Sequence, residues 1–161
     1  MPDVIVNASP LIFLGNSGYL ELLRPLGERI LVPTAVFREV SSSAHCDRAA
    51  EAVRNANWLQ PVSVPSIPQT VAAWDLGPGE SEVIALGLVN RRSRLVMDDL
   101  LGRKCAVGLA LEVIGTLGVV VAGYRRKDIE DPAVVLAELR DAGMWLSDKL
   151  IASVLELSGC K

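Results

Sequence analysis

Short aliphatic runs alternate along this chain with longer segments whose apolar positions recur at helical spacing. Val4-Ile5-Val6, Arg29-Ile30-Leu31-Val32, Pro61-Val62-Ser63-Val64, Arg94-Leu95-Val96-Met97 and Glu112-Val113-Ile114 read as strands. After the first strand, Ser9 stands as a helix N-cap with Pro10 at the first helical position. That helix carries Leu11, Ile12 and Leu14, breaks near Gly15 to Gly18, and resumes with Leu20, Leu22 and Leu23. Pro33-Thr34 opens a second helix, with Val36 and Val40 facing inward and Glu39 near its end. A third, from Ala44 to Trp58, puts Ala49, Ala52, Val53 and Ala56 on one stripe.

Gly77-Pro78-Gly79 breaks the chain before a broadly apolar helix from Glu80 to Asn90. Helices carrying Arg103 to Ala106, and running from Gly115-Thr116 to Arg125, flank the last strand. The final third is helical: Pro132 opens one segment, Gly143 closes it, and Ser147-Asp148 caps another through Leu157. Strands alternating with helices imply parallel βαβ units, whose sites form beyond the carboxyl ends of the strands. The expectation is an α/β protein, a single domain over residues 1–161, with a central parallel sheet.

Composition sharpens this picture. Half of the 161 residues are hydrophobic and only 4% are aromatic, so aliphatic side chains must fill the core. No apolar run reaches the ~18 residues of a membrane span, and no basic-then-apolar leader opens the chain. Three cysteines without close spacing argue against a disulfide framework. A cytoplasmic protein without membrane association is expected. The net charge of −3 disfavours a broad basic face for coating nucleic acid, yet a nuclease can hold phosphate through metal and a few local cations.

The candidate chemistry lies in scattered acids and one amide at element ends. Asn7 follows the first strand, Glu39 lies on the helix after the second, Glu80 opens a helix, and Asp98-Asp99 follow a later strand. A parallel sheet would gather them at one edge. Oxygen ligands of this type suit Mg²⁺ or Mn²⁺, and metal-assisted phosphodiester cleavage follows as the leading chemistry. Each acid also has a structural reading. Glu80 and Glu82 suit a helix N-terminus, Asp98 or Asp99 can cap the helix that follows, and Glu39 can be a solvated surface residue. Adjacent aspartates diverge in extended backbone, and residues two apart on a helix do not share a face. Spacing alone therefore admits only one of Glu80 and Glu82 to the site and leaves open which.

These stretches resemble the PIN-domain family. The match runs through Asn7-Ala8-Ser9-Pro10-Leu11-Ile12, Val32-Pro33-Thr34-Ala35-Val36-Phe37-Arg38-Glu39 and Gly79-Glu80-Ser81-Glu82-Val83-Ile84. It continues through Asp98-Asp99-Leu100-Leu101-Gly102-Arg103, Ile114-Gly115-Thr116-Leu117-Gly118-Val119 and Ala142-Gly143-Met144-Trp145-Leu146-Ser147-Asp148. The order and spacing are similar to a prokaryotic subgroup related to VapC-type toxins. The resemblance implies a three-layer α/β/α, PIN-like fold and a metal-dependent endoribonuclease. It implies that Glu39, Glu80, Asp98 and Asp99 are catalytic, that these four and Asn7 hold Mg²⁺ or Mn²⁺, and that Ser9 and Arg103 contact substrate. It further implies single-stranded RNA as substrate, a small antitoxin as partner in a toxin–antitoxin pair, and a homodimer.

One departure stands out. The family usually has Asp where this chain has Asn7, although the resembling subgroup often carries Asn. A neutral amide supplies an oxygen without charge, so the alternative is a catalytically weak or inactive PIN-like module that binds a protein or RNA. A haloacid-dehalogenase-like phosphatase is disfavoured because Asn7 and Ser9 occupy the places its two acids require. A P-loop is absent, since no Gly-Lys-Ser/Thr follows Gly77-Pro78-Gly79. His45 reads as a surface residue and Cys105 as a small core hydrophobe.

Overall fold

The computed structural model describes residues 1–42 and 47–159. Its frame is one parallel sheet of five strands in the order β3-β2-β1-β4-β5. These are β1 (Val4–Val6), β2 (Ile30–Pro33), β3 (Leu59–Val62), β4 (Arg94–Val96) and β5 (Glu112–Ile114). Every residue of β1 and β2 is buried. Continuous burial of that kind requires cover on both faces of the sheet, and crossover helices supply it.

The helices are α1 (Ala8–Ser17), α2 (Thr34–Ser42), α3 (Asp47–Asn55), α4 (Gln69–Ala72), α5 (Pro78–Val89), α6 (Leu100–Gly108), α7 (Thr116–Arg125), α8 (Pro132–Asp141) and α9 (Asp148–Leu157). A 3₁₀ segment covers Leu20–Leu26. Helix α5 lies against β1, β2 and β4, with α2 and α6 beside it, whereas α1 packs with α3, α7 and α8. Val4, Ile5, Leu11, Leu14, Val36, Ile84, Leu95, Val119, Leu136 and Leu139 join in one continuous aliphatic core.

Sequence and structure differ in several places. Ser9 does not cap: α1 starts at Ala8, with Asn7 in the N-cap position, and Ser9 falls within the first turn. Strand β3 begins two residues before the expected Pro61, because buried Leu59 pairs with Ile30. Pro61 is tolerated there because β3 is an edge strand. Strand β5 is also an edge strand and only half buried. The short α4 had no clear periodic signal. The expected helix from Ala44 is seen as α3 from Asp47; its earlier residues, with His45 and Cys46, lie outside the described residues. Cys105 is wholly buried, as its reading as a core hydrophobe requires.

The strand order has a direct consequence. Strand β1 sits at the centre, with β2 on one side and β4 on the other. The order reverses between β1 and β4, and a crevice opens beyond their carboxyl ends at such a point. Val6 pairs with Val96, and the Asn7 amide donates to the Val96 carbonyl at 2.9 Å. Asn7 and Met97-Asp98-Asp99 therefore leave the sheet side by side.

Candidate active site

The site is built outward from Asn7. An asparagine at a helix N-cap ordinarily turns its side chain back onto the helix, worth about 1 kcal/mol. Asn7 makes no such bond. It is 1% exposed, and its Nδ2 donates instead to Glu80 Oε1 at 3.1 Å. Its Oδ1 is buried and, among the described residues, accepts no hydrogen bond. A buried acceptor left without a donor costs on the order of 1–3 kcal/mol, so this oxygen is held ready for a cation or a donor.

Glu80 reaches Asn7 because Gly77 caps α5 and Pro78 starts it. That places Glu80 in the first turn, where the helix dipole favours a negative charge. A side chain at Gly77 would meet Glu80 Oε2 at 2.6 Å, so the glycine leaves room for the carboxylate to fold back. Glu39 comes from α2, one residue before buried Val40. Helices α2 and α5 approach closely at buried Gly79. A Cβ there would lie 3.0 Å from Glu39 Oε2 and 3.2 Å from Asn7 Oδ1. Glu39 is exposed along its length, but its carboxylate end leans into this corner. Partial desolvation, reinforced by the Glu80 charge, raises its pKa above the ordinary glutamate value.

The two aspartates diverge. Asp99 is the N-cap of α6, its Oδ2 accepting from the Gly102 amide at 2.7 Å. A Cβ on Gly102 would meet Met97 Sδ, Asp99 Oδ2 and Glu80 Cγ, so Asp99 and Glu80 flank the same buried glycine. Asp98 turns the other way. Its Oδ1 accepts from the Thr116 amide at 2.8 Å and its Oδ2 from the Thr116 hydroxyl at 2.6 Å. Arg103 Nη1 donates to the Met97 carbonyl at 3.2 Å, and both Arg103 and Asp98 crowd Gly115. Glu82 lies outside this corner, its carboxylate accepting from the Ala35 amide at 2.8 Å at the start of α2. Asp3, just before β1, is tied to Arg29 at the end of the strand opposite this corner.

The structure thus divides the residues expected to share one ion. Asn7, Glu39 and Glu80 converge around Gly79, with Asp99 next to Glu80 across Gly102. Asp98 belongs to a neighbouring corner with Thr116 and Arg103. Among the described residues, no three His, Cys, Asp or Glu side chains stand close enough to cage a metal, so the expected cluster of four carboxylates is not formed. Two carboxylates and an amide oxygen remain, a hard-oxygen set of the kind Mg²⁺ takes when waters and substrate phosphate complete its shell. The partnerless Asn7 oxygen and the raised pKa of Glu39, from partial burial and the Glu80 charge, both fit a divalent cation there. Ser9 makes no side-chain hydrogen bond among those found in the described residues. Thr116, which sequence reasoning passed over, is fully buried and holds Asp98 with two bonds; its only sequence signal was a Gly-Thr pair directly after a strand.

A doubly wound parallel sheet with an acidic crevice at its switch point is an α/β architecture suited to phosphodiester chemistry. The model of the PIN domain matches residues 3–159, and the chain belongs to the PIN-domain family. Members are typically nucleases, and these generally use divalent metal ions. No curated protein matches the chain. Among the described residues, no helix is long and apolar enough to cross a membrane.

Proposed function

We propose that this protein is a metal-dependent endoribonuclease acting on single-stranded RNA. The observation that carries the proposal is the buried Asn7 Oδ1, left without a donor between Glu39 and Glu80 at the sheet's switch point. Asn7, Glu39 and Glu80 would hold Mg²⁺ or Mn²⁺, with Asp99 beside them. When bound, such an ion polarises the phosphate and lowers the pKa of water. Glu80 orients the Asn7 amide, and Glu39 orients water at the mouth of the corner. Thr116 keeps Asp98 directed toward the adjoining corner, and Arg103 supplies a positive charge for phosphate. Hydrolysis forms a bond from the water oxygen to phosphorus and breaks one bridging P–O bond.

The test is cleavage of unstructured RNA with Mg²⁺ or Mn²⁺ and with chelator, alongside Glu80→Gln and a double Asp98→Asn, Asp99→Asn variant. Cleavage that needs metal and is lost in these variants supports the reading. A protein that cleaves nothing, and shows no anomalous Mn²⁺ peak beside Asn7 in soaked crystals, overturns it.

A second reading rests on one specific observation: the uncharged Asn7, together with the lack of a three-carboxylate cage among the described residues. On that reading the chain is a PIN-like module that binds RNA or a protein without cutting, and metal changes neither binding nor stability. A toxin role with a small antitoxin as partner extends the nuclease proposal, as does a homodimer. Exposed Leu100, Leu101 and Val107 on α6 offer apolar surface for the dimer, which light scattering would detect.

A further inference from the structure

A cavity of about 540 Å³ opens beside the Asp98 corner, walled by Phe13, Val113, Ile114, Leu117 and Leu150, with Asp98 and Arg103 at its polar end. Met144 and Trp145 form its outer lip. In a chain with 4% aromatic residues, Trp145 is 83% exposed. Exposing a large rigid ring costs hydrophobic free energy that a core position would recover, and the ring is not held there by loose chain. On one side, the Met144 amide donates to the Leu139 carbonyl at 3.0 Å, closing α8. On the other, Leu146 is buried, Arg140 Nη2 donates to its carbonyl at 2.6 Å, and Ser147 caps α9. The backbone that carries the indole is thus held in place at the rim of the cavity.

We propose that this cavity is a nucleobase subsite in which an unpaired base of the RNA stacks on Trp145, while its phosphate faces Arg103. The inference rests on the nuclease reading and extends it to the substrate. The occupant follows from the cavity itself. Its volume lies within the range of small-ligand sites. Its walls are apolar, as a base face requires, and its one cation stands at the end nearest the candidate site, as a nucleotide's phosphate requires. Phosphate, sugar and base then run from the metal corner toward the rim in one direction. Stacking on an aromatic ring tolerates any base, and among the described lining residues only Asp98, Arg103 and the Trp145 indole N–H can form side-chain hydrogen bonds. The subsite therefore selects for unpaired nucleotides with little preference among them. A duplex, whose bases are already stacked and paired, is excluded.

The test separates this subsite from the catalytic reading. A fluorescent single-stranded oligoadenylate is titrated by anisotropy into the Glu80→Gln protein, and into the same protein carrying Trp145→Ala or Trp145→Phe. In parallel, cleavage kinetics are measured on Trp145→Ala with Glu80 intact. Since Trp145 is a surface residue, its removal leaves the fold in place, which circular dichroism verifies. We expect roughly tenfold weaker binding or more for Trp145→Ala, near-normal binding for Trp145→Phe, a raised KM with kcat little changed, and no competition from duplex RNA. Equal affinity with and without Trp145 overturns the subsite even if the protein cleaves RNA. Trp145-dependent binding in a protein that never cleaves overturns the nuclease reading and leaves the subsite standing.

Discussion

Asn7 Nδ2 and Glu80 Oε1 stand 3.1 Å apart, across a sequence separation of 73 residues. The bond reconciles a neutral residue with an acidic corner. An amide can donate to a carboxylate, whereas an aspartate at the same place would repel it. Asn7 thus orients Glu80 with one end of its amide and presents an oxygen with the other.

Asn7→Asp exchanges that hydrogen bond for like-charge repulsion from Glu80 and Glu39. Without divalent metal the variant should lose about 1–3 kcal/mol of stability. Mn²⁺ should restore much of it, with tighter metal binding than the parent, because a third ligand charge beside Glu39 and Glu80 favours a hard cation. Thermal melts with and without Mn²⁺, together with calorimetric titration, check both effects. Equal melting temperatures for parent and variant in chelator would contradict the geometry.

Gly79→Ala places a methyl group 3.0 Å from Glu39 Oε2 and 3.2 Å from Asn7 Oδ1. The Glu39 carboxylate is the flexible end of an exposed side chain and can move away, while alanine favours the helix by up to about 1 kcal/mol. Stability should therefore stay within about 1 kcal/mol of the parent, while Mn²⁺ affinity falls. Such a split between fold and site is read by denaturant titration set against metal titration.

Thr116→Val removes the hydroxyl donor to Asp98 Oδ2 and leaves the backbone donor to Oδ1 in place. A loss of about 1.5–3 kcal/mol is expected, the range for a hydrogen bond to a charged group. Thr116→Ser should recover most of it. Urea unfolding of the three proteins provides the comparison.

Asp3 sets an acid limit on the fold. The Arg29 guanidinium, bonded to it through Nε at 3.0 Å, lowers its pKa, burial works against that, and Asn90 Nδ2 adds a bond at 2.8 Å. Because the folded pKa is depressed, the stabilisation is present above the unfolded value, near about 3.9. It is lost as the pH falls below that value and through the folded pKa. Asp3→Asn should therefore be less stable than the parent near neutral pH, and the difference should shrink in acid. Chemical denaturation at a series of pH values reads this directly.

Much of the frame was legible from the residues alone. Val4 to Val6, Arg94 to Val96 and Glu112 to Ile114 read as strands because short aliphatic runs between polar breaks have few other uses. The helix from Ser147 was marked by its own cap, and helical spacing showed that Glu80 and Glu82 do not share a face, while the choice of Glu80 between them came from the family resemblance. The misplacements share a cause. Strand β3 started early because pairing with Ile30, a tertiary contact, outweighed local pattern. Helix α1 swallowed Ser9 because Asn7 left the sheet already in the N-cap conformation.

By itself the sequence determined the alternation of strand and helix, the aliphatic interior and the positions from which oxygen-bearing side chains could reach one edge, since periodicity and turn chemistry act over a few residues. Only the tertiary structure decided which oxygens meet. It turned Asp98 to Thr116 and Asp99 to the Gly102 amide, brought Glu39 and Asn7 together over Gly79, and set Trp145 on the rim of the cavity that Arg103 also lines. Those choices depend on strand order and on the close approach of α2 and α5, which arise from packing between segments distant in the chain and leave no local mark in it.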